Sequence, residues 1–84
     1  MVKMEILMSN YIASNLKVKQ LLEKEKIKFK FRYVESDYSA YIDFMRCKAS
    51  RLPVIIKDGF YFQSSNIKEI KDFINGKIKG EAVK

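Results

Sequence analysis

The sequence predicts an α/β domain of order β-α-β-α-β-β-α, a four-stranded mixed sheet with helices on both faces. Three observations carry this prediction. Val54-Ile55-Ile56 and Phe60-Tyr61-Phe62 flank Asp58-Gly59, a pair suited to a two-residue hairpin turn that needs positive φ at both positions. Ile27 to Tyr33 alternates apolar and basic residues, as a half-buried strand does. Three other stretches space their apolar residues at helical intervals. A helix between the first two strands makes them parallel with a right-handed crossover, and the hairpin adds an antiparallel pair.

The chain has 84 residues, enough for one domain with a modest core. Its 48% hydrophobic and 32% charged composition is that of a globular protein, not a disordered one. No apolar stretch approaches the roughly 18–20 residues of a membrane span, so no membrane partner is expected. Met1-Val2-Lys3-Met4-Glu5 lacks a long apolar run and a small-residue cleavage site, so the chain reads as cytoplasmic. With no histidine, Ser-His and Cys-His nucleophilic pairs and His-ligated zinc are excluded, and no metal site is expected. The one cysteine, Cys47, allows neither an intramolecular disulfide nor a CxxC motif. The net charge of +7 raises polyanion binding as a hypothesis. Lysine-rich surfaces more often serve solubility, so nucleic acid is not the expected partner.

In chain order, Met4-Glu5-Ile6-Leu7-Met8 is a largely apolar run that fits a strand buried on both faces. Ser9 to Ser14 supplies loop and cap residues. Val18, Leu21 and Leu22 then share one face of a helix over about 14–25, with Ser14 or Asn10 as its cap and Leu16 off the stripe. The strand at Ile27–Val34 places Ile27, Phe29, Phe31 and Tyr33 on a dry face and Lys28, Lys30 and Arg32 on a basic one. That pattern suits an edge strand. A nucleic-acid platform would instead need aromatics exposed beside the cations. Ser36-Asp37 reads as the cap of a second helix, with Tyr38, Tyr41, Ile42 and Met45 at i, i+3, i+4 and i+7 and Cys47 near its end. Arg46, Lys48 and Arg51 lie close in sequence to that thiol, the setting a reactive cysteine needs, whereas a small buried side chain is the commoner outcome. After the hairpin, Asn66 and Glu69 fit a capping box ahead of Ile67, Ile70, Phe73 and Ile74, and Gly76 a helix stop. Residues 77–84 lack a sustained period and are expected to form a flexible tail behind a domain of residues 1–76.

Leu52-Pro53-Val54 after a long helix, the Gly59 hairpin and the Ser64-Ser65-Asn66 cap together resemble the glutaredoxin family of the thioredoxin fold. The resemblance spans about residues 3–75. It implies a redox site of CxxC or CxxS type between the first strand and first helix. Those positions fall on Ile12-Ala13-Ser14-Asn15, or one residue earlier on Tyr11-Ile12-Ala13-Ser14, and neither register contains cysteine. The family's chemistry needs a thiolate at a helix N-terminus, so ordinary dithiol turnover is not supported, and Cys47 occupies neither family position. The resemblance further implies a groove in which Leu52-Pro53 and Ser64-Ser65-Asn66 would meet glutathione, with Arg51 available to a carboxylate.

Three functions follow. The first is a glutaredoxin-like protein without its redox dithiol that binds glutathione, a peptide or a partner protein in the residual groove, with no cofactor required. The second is a thiol-disulfide oxidoreductase or glutathione-dependent enzyme with displaced chemistry, using Cys47 or the Tyr11 or Ser14 hydroxyl. The third is polyanion binding through Lys28, Lys30 and Arg32. The state of the Leu52–Pro53 peptide bond is left open.

Overall fold

In the computed structural model, β1 (Met4–Met8) is an interior strand, parallel to β2 (Lys30–Tyr33) on one side and antiparallel to β3 (Val54–Lys57) on the other. The described residues are 4–83. Residues 1–3 of the segment read for a leader, and Lys84 of the expected tail, lie outside them. The sheet continues through β4 (Phe60–Gln63) to β5 (Glu81–Ala82), in the order β2-β1-β3-β4-β5. Three helices complete the order: α1 (Ala13–Lys24), α2 (Tyr38–Cys47) and α3 (Ile67–Ile74).

β1 has buried side chains on both faces, which is why its sequence does not alternate. Ile6 and Met8 join Val18 and Leu22 of α1, Ile70 and Phe73 of α3 and Ile55 in one core cluster. Leu7 points the other way and packs with Ala40 and Cys47 of α2 and with Val54. The sheet is therefore sandwiched, α1 and α3 on one side and α2 on the other. At the hairpin, Asp58 and Gly59 have φ of 53° and 84°, the left-handed conformation that the Asp-Gly pair tolerates.

Several expectations are corrected. The sheet has five strands, not four, because residues expected to fray pair with β4 in the register Phe60↔Ala82 and Tyr61↔Glu81. Ile78 and Val83 pack against the two core clusters, and the Tyr61 hydroxyl donates to Glu81 Oε2 at 2.7 Å. α1 begins at Ala13 with Ile12 in the cap position and no side-chain cap bond, so neither Ser14 nor Asn10 caps it. β2 is shorter than its alternating pattern: Ile27 and Phe29 still face the core, but pairing with β1 spans only Lys30–Tyr33. β2 is an edge strand, as expected.

The other two helices begin as the sequence indicates. Asp37 caps α2 by accepting from the amides of Ser39 and Ala40. Asn66 caps α3 by accepting from those of Lys68 and Glu69, but Glu69 does not close the box. Its carboxylate accepts from the Ser64 hydroxyl instead, at 2.7 Å. α2 faces the sheet with Ala40, Phe44 and Cys47, and its Tyr38, Tyr41, Ile42 and Met45 stripe is the outward face.

Candidate functional site

The loop from β1 into α1 is built around Asn15, which is fully buried. Its Oδ1 accepts from the Ser9 amide at 2.9 Å and its Nδ2 donates to the Leu52 carbonyl at 3.3 Å. A buried amide with both ends satisfied fixes the residues around it, because losing either bond leaves an uncompensated polar group. One side chain thus ties the end of β1 and the first turn of α1 to the segment before Pro53. The Leu52–Pro53 peptide is cis, and Pro53 is buried. The Tyr11 amide donates to Ser9 Oγ at 3.1 Å, and that of Asn10 to Glu35 Oε1, which anchors the loop to the turn ahead of α2. Tyr11, Ile12, Ala13 and Ser14 are exposed, Tyr11 by 86%.

A second tie holds the other wall. The Ser50 amide donates to Gln63 Oε1 at 3.0 Å, and Gln63 Nε2 returns a bond to Ser50 Oγ at 3.3 Å. A groove of about 210 Å³ lies here, lined by Arg51, Leu52, Gln63, Ser64, Ser65, Asn66 and Glu69. All the expected ligand contacts except Pro53 therefore line one depression. Its chemistry differs from a plain anion cradle. The Asn66 side chain already occupies the Lys68 and Glu69 amides, the Asn66 amide donates to Ser64 Oγ at 3.0 Å, and Glu69 contributes a carboxylate. The groove offers one exposed cation (Arg51), one anion (Glu69) and neutral hydroxyl and amide groups.

The remaining candidates lie elsewhere. Cys47 is buried with Leu7, Ala40 and Val54, on the sheet face opposite α1. Burial first, and the Asp43 carboxylate second, push its thiol up from 9.0, with Arg46 opposing them. This is the reverse of an activated nucleophile. Arg32 does not join Lys28 and Lys30 at the surface. It is 8% exposed, and its guanidinium donates to Asp43 at 2.8 Å, Glu5 at 3.1 Å and Ser39 Oγ at 2.8 Å, with Asp37 at 3.6 Å. Burial works against its charge, but these carboxylates outweigh burial and raise its pKa. Arg32 is thus an internal counter-ion beneath α2.

Sequence reasoning named Asn15 as a loop position but gave it no task, and it missed the Glu69 carboxylate as a groove group. An asparagine in the first turn of a helix, where it is a poor helix former, was the available signal for the former. Glu69 was assigned to the capping box.

No protein-family model and no curated protein sequence matches the chain. Solved structures do. The thioredoxin-like protein BC3987 aligns with a TM-score of 0.74 and 17% identity, covering 83% of this chain and 97% of that one. A point mutant of BC3987 aligns with a TM-score of 0.76 and 18% identity, over 87% of this chain and 100% of the other. Identities this low speak to architecture, and together with the element order they identify the chain as having a thioredoxin-like fold.

Proposed function

We propose that this chain is a glutaredoxin-like binding module of the thiol-redox superfamily that has lost the redox dithiol and holds a peptide in the groove beside Pro53. Glutathione is one such peptide, and a segment of a partner protein the larger alternative. The observation that carries this reading is the convergence of Arg51-Leu52 and Ser64-Ser65-Asn66 on one groove, pinned to the loop of residues 9–15 through the Asn15–Leu52 bond. The mixed lining suits a ligand with both charges and an amide backbone: Arg51 for a carboxylate, Glu69 for an ammonium, Gln63 and Ser65 for peptide groups.

The competing readings have less support. Displaced redox chemistry would need a thiolate at the groove, and the Cys47 thiol is buried with its pKa raised. A hydroxyl nucleophile at Tyr11 or Ser14 would need a base, and among the described residues no carboxylate bonds to either hydroxyl. Polyanion binding through Lys28, Lys30 and Arg32 loses one of its three cations to the Arg32 ion cluster.

Titration of ¹⁵N-labelled protein with reduced glutathione tests the proposal. Amide shifts at residues 10–14, 51, 52, 54 and 63–66, reduced at least about fivefold in affinity by Arg51→Ala, are the expected result. No shifts at millimolar glutathione reject it as the ligand. If an unrelated extended tetrapeptide likewise leaves these amides unmoved, the groove is not a peptide site.

A further inference from the structure

The sheet is not covered evenly along its length. α3 stops at Ile74, and the chain then turns back through residues 75–80 to reach β5. Phe60 projects from β4 to the same side as Phe62, two residues on. The Phe62 ring is half-buried and stacks on Phe73 of α3, with centroids 5.4 Å apart. Phe60 meets the segment after the helix instead and stays 43% exposed. The outcome is a cavity of about 470 Å³ at the hairpin end of the sheet. Phe60, Phe73 and Ile78 give it apolar walls, and Lys57, Asp58 and Lys79 charged ones. That volume lies within the roughly 300–1,000 Å³ of small-molecule sites.

The charges around the cavity are not equivalent. Lys57 is committed, since its ammonium donates to the Ile74 carbonyl and so completes the last turn of α3. The Lys79 side chain is exposed and, among the described residues, makes no ion pair or hydrogen bond. Asp58 does not neutralise it, because the two do not come within ion-pair distance. Two ammoniums against one carboxylate leave the lining with a net positive charge. A cation is therefore repelled, and an uncharged apolar ligand would leave Lys79 beside it unpaired. An anion with an apolar body suits both the walls and the free ammonium.

We propose that this cavity binds an apolar monocarboxylate, with its hydrocarbon part against Phe60 and Ile78 and its carboxylate paired with Lys79. The cavity shares no lining residue with the groove beside Pro53, so the proposal is independent of the peptide reading.

Titration of the ¹⁵N-labelled full chain with sodium octanoate at about 0.05 M salt tests it. Saturable amide shifts at residues 58, 60, 73, 76 and 78–80, with those of 51, 52 and 64–66 unmoved, are the expected result. Octylammonium has the same chain and the opposite charge, and should bind at least about tenfold more weakly. Lys79→Gln should weaken octanoate binding about threefold and leave 1-octanol binding unchanged. Phe60→Ser should weaken both ligands at least about fivefold with unchanged circular dichroism. No saturable shifts up to about 10 mM octanoate, or shifts centred on other residues, overturn the site. Octylammonium bound as tightly as octanoate, or octanoate indifferent to Lys79→Gln, overturns the carboxylate as its ligand group.

Discussion

Asn15 and Arg32 are buried polar side chains, each bonded to two or more partners from other parts of the chain. Asn15 satisfies a buried amide of Ser9 and a carbonyl of Leu52. Asn15→Ala is expected to cost about 1–3 kcal/mol, because it strands the buried Ser9 amide and a part-buried carbonyl rather than merely removing bonds. Urea unfolding measures this, and the amide resonance of Ser9 should lose its protection from exchange. The Arg32 cluster gives a pH dependence whose sign follows from Asp37. The Ser39 hydroxyl above all, then the Ala40 amide and Arg32, hold the Asp37 carboxyl below its ordinary 3.8, against a desolvation that raises it. A carboxyl depressed in the folded state binds its proton first in the unfolded chain, so its contribution is complete above about pH 3.8 and disappears as pH falls through the folded value. Asp37→Asn retains a competent cap and should flatten the acid side of a stability–pH profile measured by urea unfolding. Neither residue's role was legible in the sequence. A one-dimensional alternation put Arg32 on a solvated face, because pattern reports which side of a strand a residue takes but not what covers that side.

At the scale of elements, the helices were legible and their orientation was not always so. Val18, Leu21 and Leu22 mark the inward face of α1, and Val18 and Leu22 are buried there. In α2 the same spacing marks the outward face. The inward one is made by Ala40, Phe44 and Cys47 over Leu7 and Val54, a closer and less conspicuous packing. Two residues of β5 carry no periodicity at all, so that strand could not have been found from pattern. Its attachment depends on Gly80. A Cβ there would lie 2.6 Å from Phe73 Cε1 and 2.6 Å from the Tyr61 carbonyl oxygen. Gly80→Ala should therefore push β5 off β4 and cost about 1–3 kcal/mol, read by urea unfolding. Amide exchange at Val83, whose N–H donates to the Gly59 carbonyl at 2.9 Å, should rise to that of an open chain. A tail that merely frayed would tolerate the alanine with no change in either measurement.

For the molecule as a whole, the thioredoxin-like architecture was readable because local signals agreed: Asp58-Gly59 at the turn, Asp37 and Asn66 at the caps, and an apolar first strand. The groove was readable only through resemblance, since Arg51 and Ser64 are brought together by the sheet and no spacing predicts their meeting. The net charge of +7 carries its own consequence. Self-repulsion among exposed lysines opposes the compact state and is screened by salt, whereas the partly buried Arg32 cluster is screened far less. Stability should thus rise by about 0.5–1 kcal/mol between roughly 0.01 M and 0.2 M salt. A flat or falling dependence would mean that the ion cluster dominates the electrostatics.

The position of β1 also bears on how the chain comes together in time. Its residue Ile6 pairs with Phe31 on one side and with Ile55 on the other. β1 therefore leaves the ribosome ahead of both its neighbours, and the second of them, β3, follows only after α1, β2 and α2. Until Val54–Lys57 emerges, one side of an apolar strand has no hydrogen-bonding neighbour and no cover from α3. Closing so long a loop must precede the contacts that reward it. During that interval the nascent Met4–Met8 segment presents an unpaired apolar strand edge, the kind of surface that promotes association with other chains.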